Sequence, residues 1–263
     1  MIDIHHHLLW EQDDGSTSLD LSLEMARMAA ADGITHIACT PHANGFYEYH
    51  PEAIQAKINQ LQGLLQQENI PITLGKGCDF HTSYDNIQRA HTEPHRYSLN
   101  SGSYLLVELP DHALPPTLNE VFYQMQIDGL VPILTHPERN LTLQKDMSRI
   151  KEWLRTGVLV QVTANSVTGK MGKTAQRIAH ELLAKNWVHF LATDAHNVSS
   201  RPPKMRESME LVAEKYGSDY AHLLCISNPL AAFMDKPLPE QREMLDLYED
   251  MAPRKWWQRL TGR

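Results

Sequence analysis

Seven short apolar runs recur along the chain, each ending in polar or turn-forming residues. The first lies in Met1-Ile2-Asp3-Ile4-His5-His6-His7-Leu8-Leu9, where Ile2, Ile4 and the Leu8-Leu9 pair frame a buried strand. The next six are Ile34 to Cys39, Pro71 to Leu74, Tyr104 to Val107, Val131 to Leu134, Val158 to Val162 and Val188 to Ala192. Helical patterns fill the intervals. Ser18 caps a segment whose apolar positions are Leu19, Leu23, Met25, Met28 and Ala29, and Gly33 closes it. A second helix is predicted over residues 51–68, with others after Pro115-Pro116, after the sixth strand and after Pro202-Pro203. Residues 80–101 read as polar, irregular chain, and Asn228-Pro229 as the end of the compact part.

Strand followed by helix, about seven times over, predicts an α/β protein with parallel strands and helices outside. The chain has 263 residues, and an α/β barrel takes about 250 as one unit. An open doubly wound sheet is the alternative, but no glycine fingerprint follows the first strand. Composition changes this picture little. The formal charge of -8 argues against a nucleic-acid binder. No apolar stretch approaches the ~20 residues of a membrane helix, and the N-terminus lacks a signal-peptide pattern. Cys39, Cys78 and Cys225 are too few and too scattered for a disulfide framework or a thiolate metal site. Together these features predict a cytoplasmic protein.

The fifteen histidines change the picture more. On a strand, His5 and His7 point one way and His6 the other, so two imidazoles can share one metal ion. A tag remnant would sit outside the fold rather than inside an apolar strand. Metal-binding residue types recur at the later strand ends as well: His42, Asp79, Glu108, His136, and Asp194 with His196. A parallel barrel gathers the C-terminal ends of all its strands on one rim. Any one of these histidines alone reads as an ordinary hydrogen-bonded turn residue; their joint placement predicts a cluster. All the donors are imidazole or carboxylate, which suits manganese, iron, zinc or magnesium. They are too numerous for one ion, and Glu108, with two oxygens, is a natural bridge between two. Arg139 follows the His136 turn and Arg201 follows His196. A guanidinium forks onto phosphate oxygens, so both are candidate phosphate ligands, against the plainer reading of surface ion pairs.

These residues resemble the polymerase-and-histidinol-phosphatase (PHP) superfamily. The matching motifs are Asp3-Ile4-His5-His6-His7, Thr40-Pro41-His42, Thr135-His136-Pro137-Glu138-Arg139 and Asp194-Ala195-His196. Within it, Asp13-Asp14-Gly15, Leu106-Val107-Glu108-Leu109-Pro110 and Arg201-Pro202-Pro203 are most similar to the manganese-dependent protein-tyrosine phosphatases of bacterial capsule and exopolysaccharide loci. The resemblance covers roughly residues 1–235 and leaves 236–263 as a C-terminal extension. It implies a distorted seven-stranded, TIM-like barrel holding two or three metal ions, manganese first. It further implies that His5, His7, Glu108 and Asp194 hold one ion. His42, Asp79 and His136 would serve a second, and Asp14 and His196 would help with a third. One departure stands out: the family usually has glutamate where this chain has Asp79.

The function so implied is hydrolysis of phosphotyrosine on a membrane-associated capsule or exopolysaccharide tyrosine kinase, by a metal-activated hydroxide. A cysteine mechanism is set aside, because it needs arginine six positions after the cysteine and those positions hold Gly45, Tyr84 and Ala231. Two alternatives stay open: a small-molecule phosphatase (for histidinol phosphate, for example) or phosphodiesterase, and a metal-binding regulatory protein with little turnover. The tail Pro253 to Arg263 carries four positive charges, two tryptophans and no acidic residue. It predicts weak contact with a membrane or the kinase, against simple packing on the barrel. The pattern does not choose between a monomer and an oligomer.

Overall fold

The computed structural model describes residues 1–111 and 113–249. The basic tail from Pro253 lies outside the described residues. In chain order the elements are β1 (Ile2–His6), α1 (Leu19–Asp32), β2 (His36–Cys39), β3 (His42–Ala43), α2 (Pro51–Gln67), β4 (Thr73–Lys76), β5 (Asp79–His81) and α3 (Tyr84–Thr92). They continue with β6 (Tyr104–Glu108), α4 (Leu118–Ile127), β7 (Val131–Thr135), α5 (Ser148–Arg155), β8 (Leu159–Thr163), α6 (Ala164–Val167), α7 (Lys173–Ala184), β9 (Phe190–Ala192), α8 (Arg206–Tyr216), α9 (Ser218–His222) and α10 (Asn228–Phe233). All the strand pairings within the sheets are parallel. One sheet runs β1-β2-β4 and the other β3-β5-β6-β7-β8-β9. Hydrogen bonds from Asp194 N–H to His5 O (2.9 Å) and from His7 N–H to Ala195 O (3.0 Å) join the two beside β1.

Local chemistry sets the element ends. Ser18 Oγ accepts from Leu21 N–H and starts α1, a cap worth about 1 kcal/mol. Gly33 ends the helix at φ 93°, a left-handed angle that costs glycine nothing. Pro41 breaks β2 from β3, and Gly77-Cys78 separates β4 from β5. One apolar cluster fills the space between strands and helices. A second is built from Ile2, Ile4, Ala38, Tyr104, Leu106, Ile133, Phe190 and Ala192 of the strands, with Leu99, Ala232 and Phe233. The β1–β2 register shifts between Asp3 and His6, so the alternation that buries Ile2 and Ile4 there need not continue into the histidines above.

Two sequence expectations are corrected. Residues 80–101 are not irregular: they hold the end of β5, helix α3 and two short 3-10 turns. Only Ala90 of α3 is buried, so its polar sequence carries too narrow an apolar stripe to be read. Ser83 Oγ caps it by accepting from Asn86 N–H. Nor does the compact part end at Asn228-Pro229. The proline follows the π-helical turn Leu223–Ser227, where the widened backbone pairing admits it, and Ala232 and Phe233 are buried beyond it.

Candidate metal centre

The strand ends converge as donors on one rim. His5 and His7 bring their Nε2 atoms within 3.4 Å of each other. His42 pairs with Asp79 across β3 and β5, and Glu108 ends β6. His136 and Asp194 follow β7 and β9 at φ 33° and 51°. Left-handed backbone at such residues costs about 1–3 kcal/mol and persists where the surroundings dictate it. The acidic loop presses on β1 at Gly15, where any side chain would start 2.5 Å from the His7 Cβ. This close approach brings Asp13 and Asp14 to the cluster.

Four overlapping groups of donor atoms result: His7, Asp14, His42 and His196; His5, Asp79 and His136; His5, His7 and Asp194; and His42, Asp79 and Glu108. Within each, the atoms lie within 4.8 Å of one another. Asp79 Oδ2 is 3.4 Å from His5 Nε2 and 3.2 Å from His42 Nδ1. Asp194 Oδ1 is 3.5 Å from His5 Nε2 and 3.3 Å from His7 Nε2. Asp14 Oδ1 sits 3.4 Å from both His42 Nε2 and His196 Nε2. Glu108 turns Oε2 toward His42 (3.5 Å) and Oε1 toward His136 (3.7 Å).

All nine donor residues predicted from the sequence belong to these groups. Among these groups Glu108 stands with His42 and Asp79, and His136 with His5 and Asp79. Asp79, despite its short side chain, reaches two histidines, one of them its register partner His42 on the neighbouring strand. Among the described residues, Arg139 and Arg201 show no ion pair with a surface carboxylate. Both reach Oδ2 of the buried Asp194.

Three residues outside the predicted set orient the donors. Asp13 Oδ2 lies 2.6 Å from His7 Nδ1 and also accepts from His42 N–H at 3.0 Å. Gln161 Oε1 lies 3.0 Å from His5 Nδ1. Asp3 accepts from the N–H groups of His5 (3.3 Å) and Thr193 (3.0 Å), which ties β1 to the Asp194 turn. Gln161 could have been noticed as the one polar residue in the run Val158 to Val162, and Asp13 as the neighbour of Asp14.

The cluster divides protons unevenly. Burial opposes charge on His5, but Asp79 and Asp194 outweigh it and raise its pKa to about 9. His42 is likewise opposed by burial, yet Asp14, Asp79 and Glu108 carry it to about 11. Burial, with the charge of Asp79, pushes Glu108 up to about 8. Burial, helped by the charge of His7, pushes His196 down to about 4. Asp194 sits well below the carboxylate range: burial opposes ionisation, but His5, His7, Arg139 and Arg201 prevail.

The residues fit metal ions on two observations. His5, His7 and His196 each engage Nδ1 with an acceptor (Gln161 Oε1, Asp13 Oδ2 and Asp194 O) and leave Nε2 aimed at the cluster. Metal-bound histidines almost always carry such a partner on the other nitrogen. In addition, His42 Nδ1, Asp79 Oδ2 and His196 Nε2 are buried yet lack any hydrogen bond of good geometry. Buried polar atoms without partners are costly, and cations among them would satisfy all three.

The parallel fold with this histidine–carboxylate rim defines a member of a metallohydrolase-like α/β class. The model of the capsular polysaccharide synthesis family CpsB/CapC matches residues 1–234, and the chain belongs to that family. It is 33% identical over 251 residues to the tyrosine-protein phosphatase YwqE of Bacillus subtilis, covering 93% of this chain and 98% of the relative. It is 26% identical over 242 residues to the tyrosine-protein phosphatase CpsB of Streptococcus pneumoniae, covering 90% and 99%. Among solved structures, a chain from the work on YwqE and CpsB, described as unique metal-dependent tyrosine phosphatases, superposes with a TM-score of 0.87. That match has 32% identity and covers 93% of this chain and 99% of that one. The lactonase Lmo2620 of Listeria monocytogenes shares the fold at a TM-score of 0.56 and 12% identity, covering 90% and 95%.

Proposed function

We propose that the protein is a metal-dependent protein-tyrosine phosphatase whose substrate is a phosphotyrosine protein, a membrane-associated tyrosine kinase of capsule or exopolysaccharide synthesis. The observation that carries this reading is the convergence of nine histidine and carboxylate donors with two arginines beside them. The kinship with tyrosine-protein phosphatases of capsule-family proteins supports the substrate class. Manganese suits the mixed imidazole and carboxylate donor set, in two or three ions. Bound divalent metals supply Lewis acidity and lower the pKa of water toward neutrality.

The chain's own residues divide the remaining work. His5, His7, Asp14, His42, Asp79, Glu108, His136, Asp194 and His196 are the proposed metal ligands. Asp13 and Gln161 fix which nitrogen of His7 and His5 faces inward. Arg139 and Arg201 would bind phosphate oxygens. Each gives one terminal nitrogen to Asp194, which orients the planar fork, and a guanidinium has five donors in all. The two sheets read as one distorted seven-stranded barrel if β2 with β3, and β4 with β5, each count as one interrupted strand. Residues 1–235 would form the catalytic unit and 236–263 an extension. No helix among the described residues is long and apolar enough to cross a membrane. All three cysteines are free and buried, which suits a cytoplasmic location.

The test is phosphate release from a phosphotyrosine peptide, histidinol phosphate and a phosphodiester, side by side with manganese. The phosphotyrosine peptide should be turned over at least tenfold more efficiently. Preference for either of the other two would overturn the substrate assignment.

A further inference from the structure

The loop after β3 and the start of α3 carry three aromatic side chains that the metal centre leaves unused. Phe46 is 94% exposed, the most exposed of the large apolar side chains among the described residues. Its neighbour Tyr47 lies alongside the proposed ligand His42, with ring centroids 6.2 Å apart and planes tilted by only 16°. Tyr84, at the start of α3, is 76% exposed.

The loop is built rather than slack. Asn44 Oδ1 accepts from the N–H groups of Phe46 (2.9 Å) and Tyr47 (3.0 Å), and Asn44 N–H donates to Tyr47 O (3.0 Å). Asn86 Nδ2 donates to Ala43 O (2.7 Å) and His81 O (3.0 Å), which clasps this loop to the one leading into α3. Side-chain hydrogen bonds of this kind hold a turn in one geometry. This braced turn holds Tyr47 alongside His42, at the edge of the donor cluster, with Phe46 next to it in the chain.

We propose that Phe46 and Tyr47 form an aromatic wall that receives the aryl ring of phosphotyrosine, and so sets the preference for aryl over alkyl phosphate esters. This rests on the phosphatase reading above. The ring of a tyrosyl ester begins one oxygen away from the phosphorus, so phosphate held among the donors and arginines leaves the ring at the mouth beside His42. There it meets Tyr47 at its side and Phe46 beyond. Aromatic pairs favour offset or edge contacts with centroids about 4.5–7 Å apart. A seryl ester has no ring to place there and gains nothing from the wall.

The experiment compares wild type with Tyr47→Ala, Phe46→Ala and Tyr47→Phe. The substrates are one peptide phosphorylated on tyrosine and the same peptide with phosphoserine at that position. Inorganic phosphate as competitive inhibitor and bound-metal content are measured in parallel. Each alanine variant should lose about tenfold in kcat/KM on the phosphotyrosine peptide, mostly through KM. The ratio of tyrosine to serine turnover should fall, and Tyr47→Phe should restore it. Metal content and the phosphate inhibition constant should not move, as they would if the loop merely supported His42. An unchanged ratio in both alanine variants, with wild type still cleaving phosphotyrosine, overturns the aromatic wall alone. Wild type that cleaves no phosphotyrosine overturns the phosphatase reading and the wall with it.

Discussion

Replacing Asp13 with asparagine tests how the chain prepares its histidines. The Asp13 carboxylate is buried against His7, and the imidazole across a 2.6 Å contact holds its pKa below the usual range although burial opposes this. Ionised, it accepts from His7 Nδ1–H and His42 N–H on Oδ2, and from Gly15 N–H (2.9 Å) on Oδ1. Asparagine has one acceptor oxygen, so at least one of these three donors would face an NH2 group. Hydrogen bonds to charged groups contribute about 1.5–3 kcal/mol each. Loss of one at His7 frees the ring to flip or change tautomer, and outer partners of metal-bound histidines typically account for about 10–100-fold in metal affinity. Asp13→Asn should therefore weaken manganese binding about 10–100-fold, with activity largely recovered at saturating metal. Stepwise chelation followed by metal analysis and phosphatase assay reads both quantities. Wild-type affinity in a folded Asp13→Asn protein would refute the orienting role, and His7 would then be held by packing alone.

Other outcomes follow from the same geometry. Arg139→Ala or Arg201→Ala should lower kcat on phosphotyrosine peptide by about 100-fold or more at unchanged metal content, in the range seen for loss of a transition-state donor. Lysine at either position should rescue only partly, since it lacks the fork, and near-normal turnover in both alanine variants would reduce the arginines to partners of Asp194. His189, fully buried away from the metal cluster, accepts from Val160 N–H, and burial lowers its pKa to about 4. Its folded pKa lies below the unfolded value of about 6.5, so its contribution is complete above pH 6.5 and is lost as pH falls toward 4. Urea titrations should show the stability gap between wild type and His189→Asn shrinking by about 3 kcal/mol over that window, while a constant gap would mean that His189 is not titrating.

Much of the site was legible because period and topology act together. His5 and His7 come together at the end of the first strand, across a register shift, and parallel strands bring His42, Glu108, His136 and Asp194 to one rim without any knowledge of distance. Residues that act through a partner left weaker traces. Asp13 and Gln161 matter only because folding sets them against His7 and His5, and nothing in their spacing says so. Which donors stand nearest one another was also hidden. Glu108 faces His42 and His136 because β5 lies between β3 and β6, an order that pairing fixes and sequence spacing does not. Helix α3 escaped notice because only Ala90 on it is buried. The Asn228-Pro229 pair was misread as a stop because a π-helical turn before it lets the helical chain run on through the proline.

The central claim is that this rim works only with metal ions on its histidines and carboxylates. The most direct measurement is phosphate release from a phosphotyrosine peptide after exhaustive chelation, then during readdition of manganese, with bound metal quantified at each step. Activity should fall to background on chelation and return with manganese at a stoichiometry of two or three ions per chain. Thiol alkylation should leave it unchanged, because all three cysteines are buried and burial pushes each thiol well above its ordinary pKa. Full activity in protein shown to be free of metal would contradict the account.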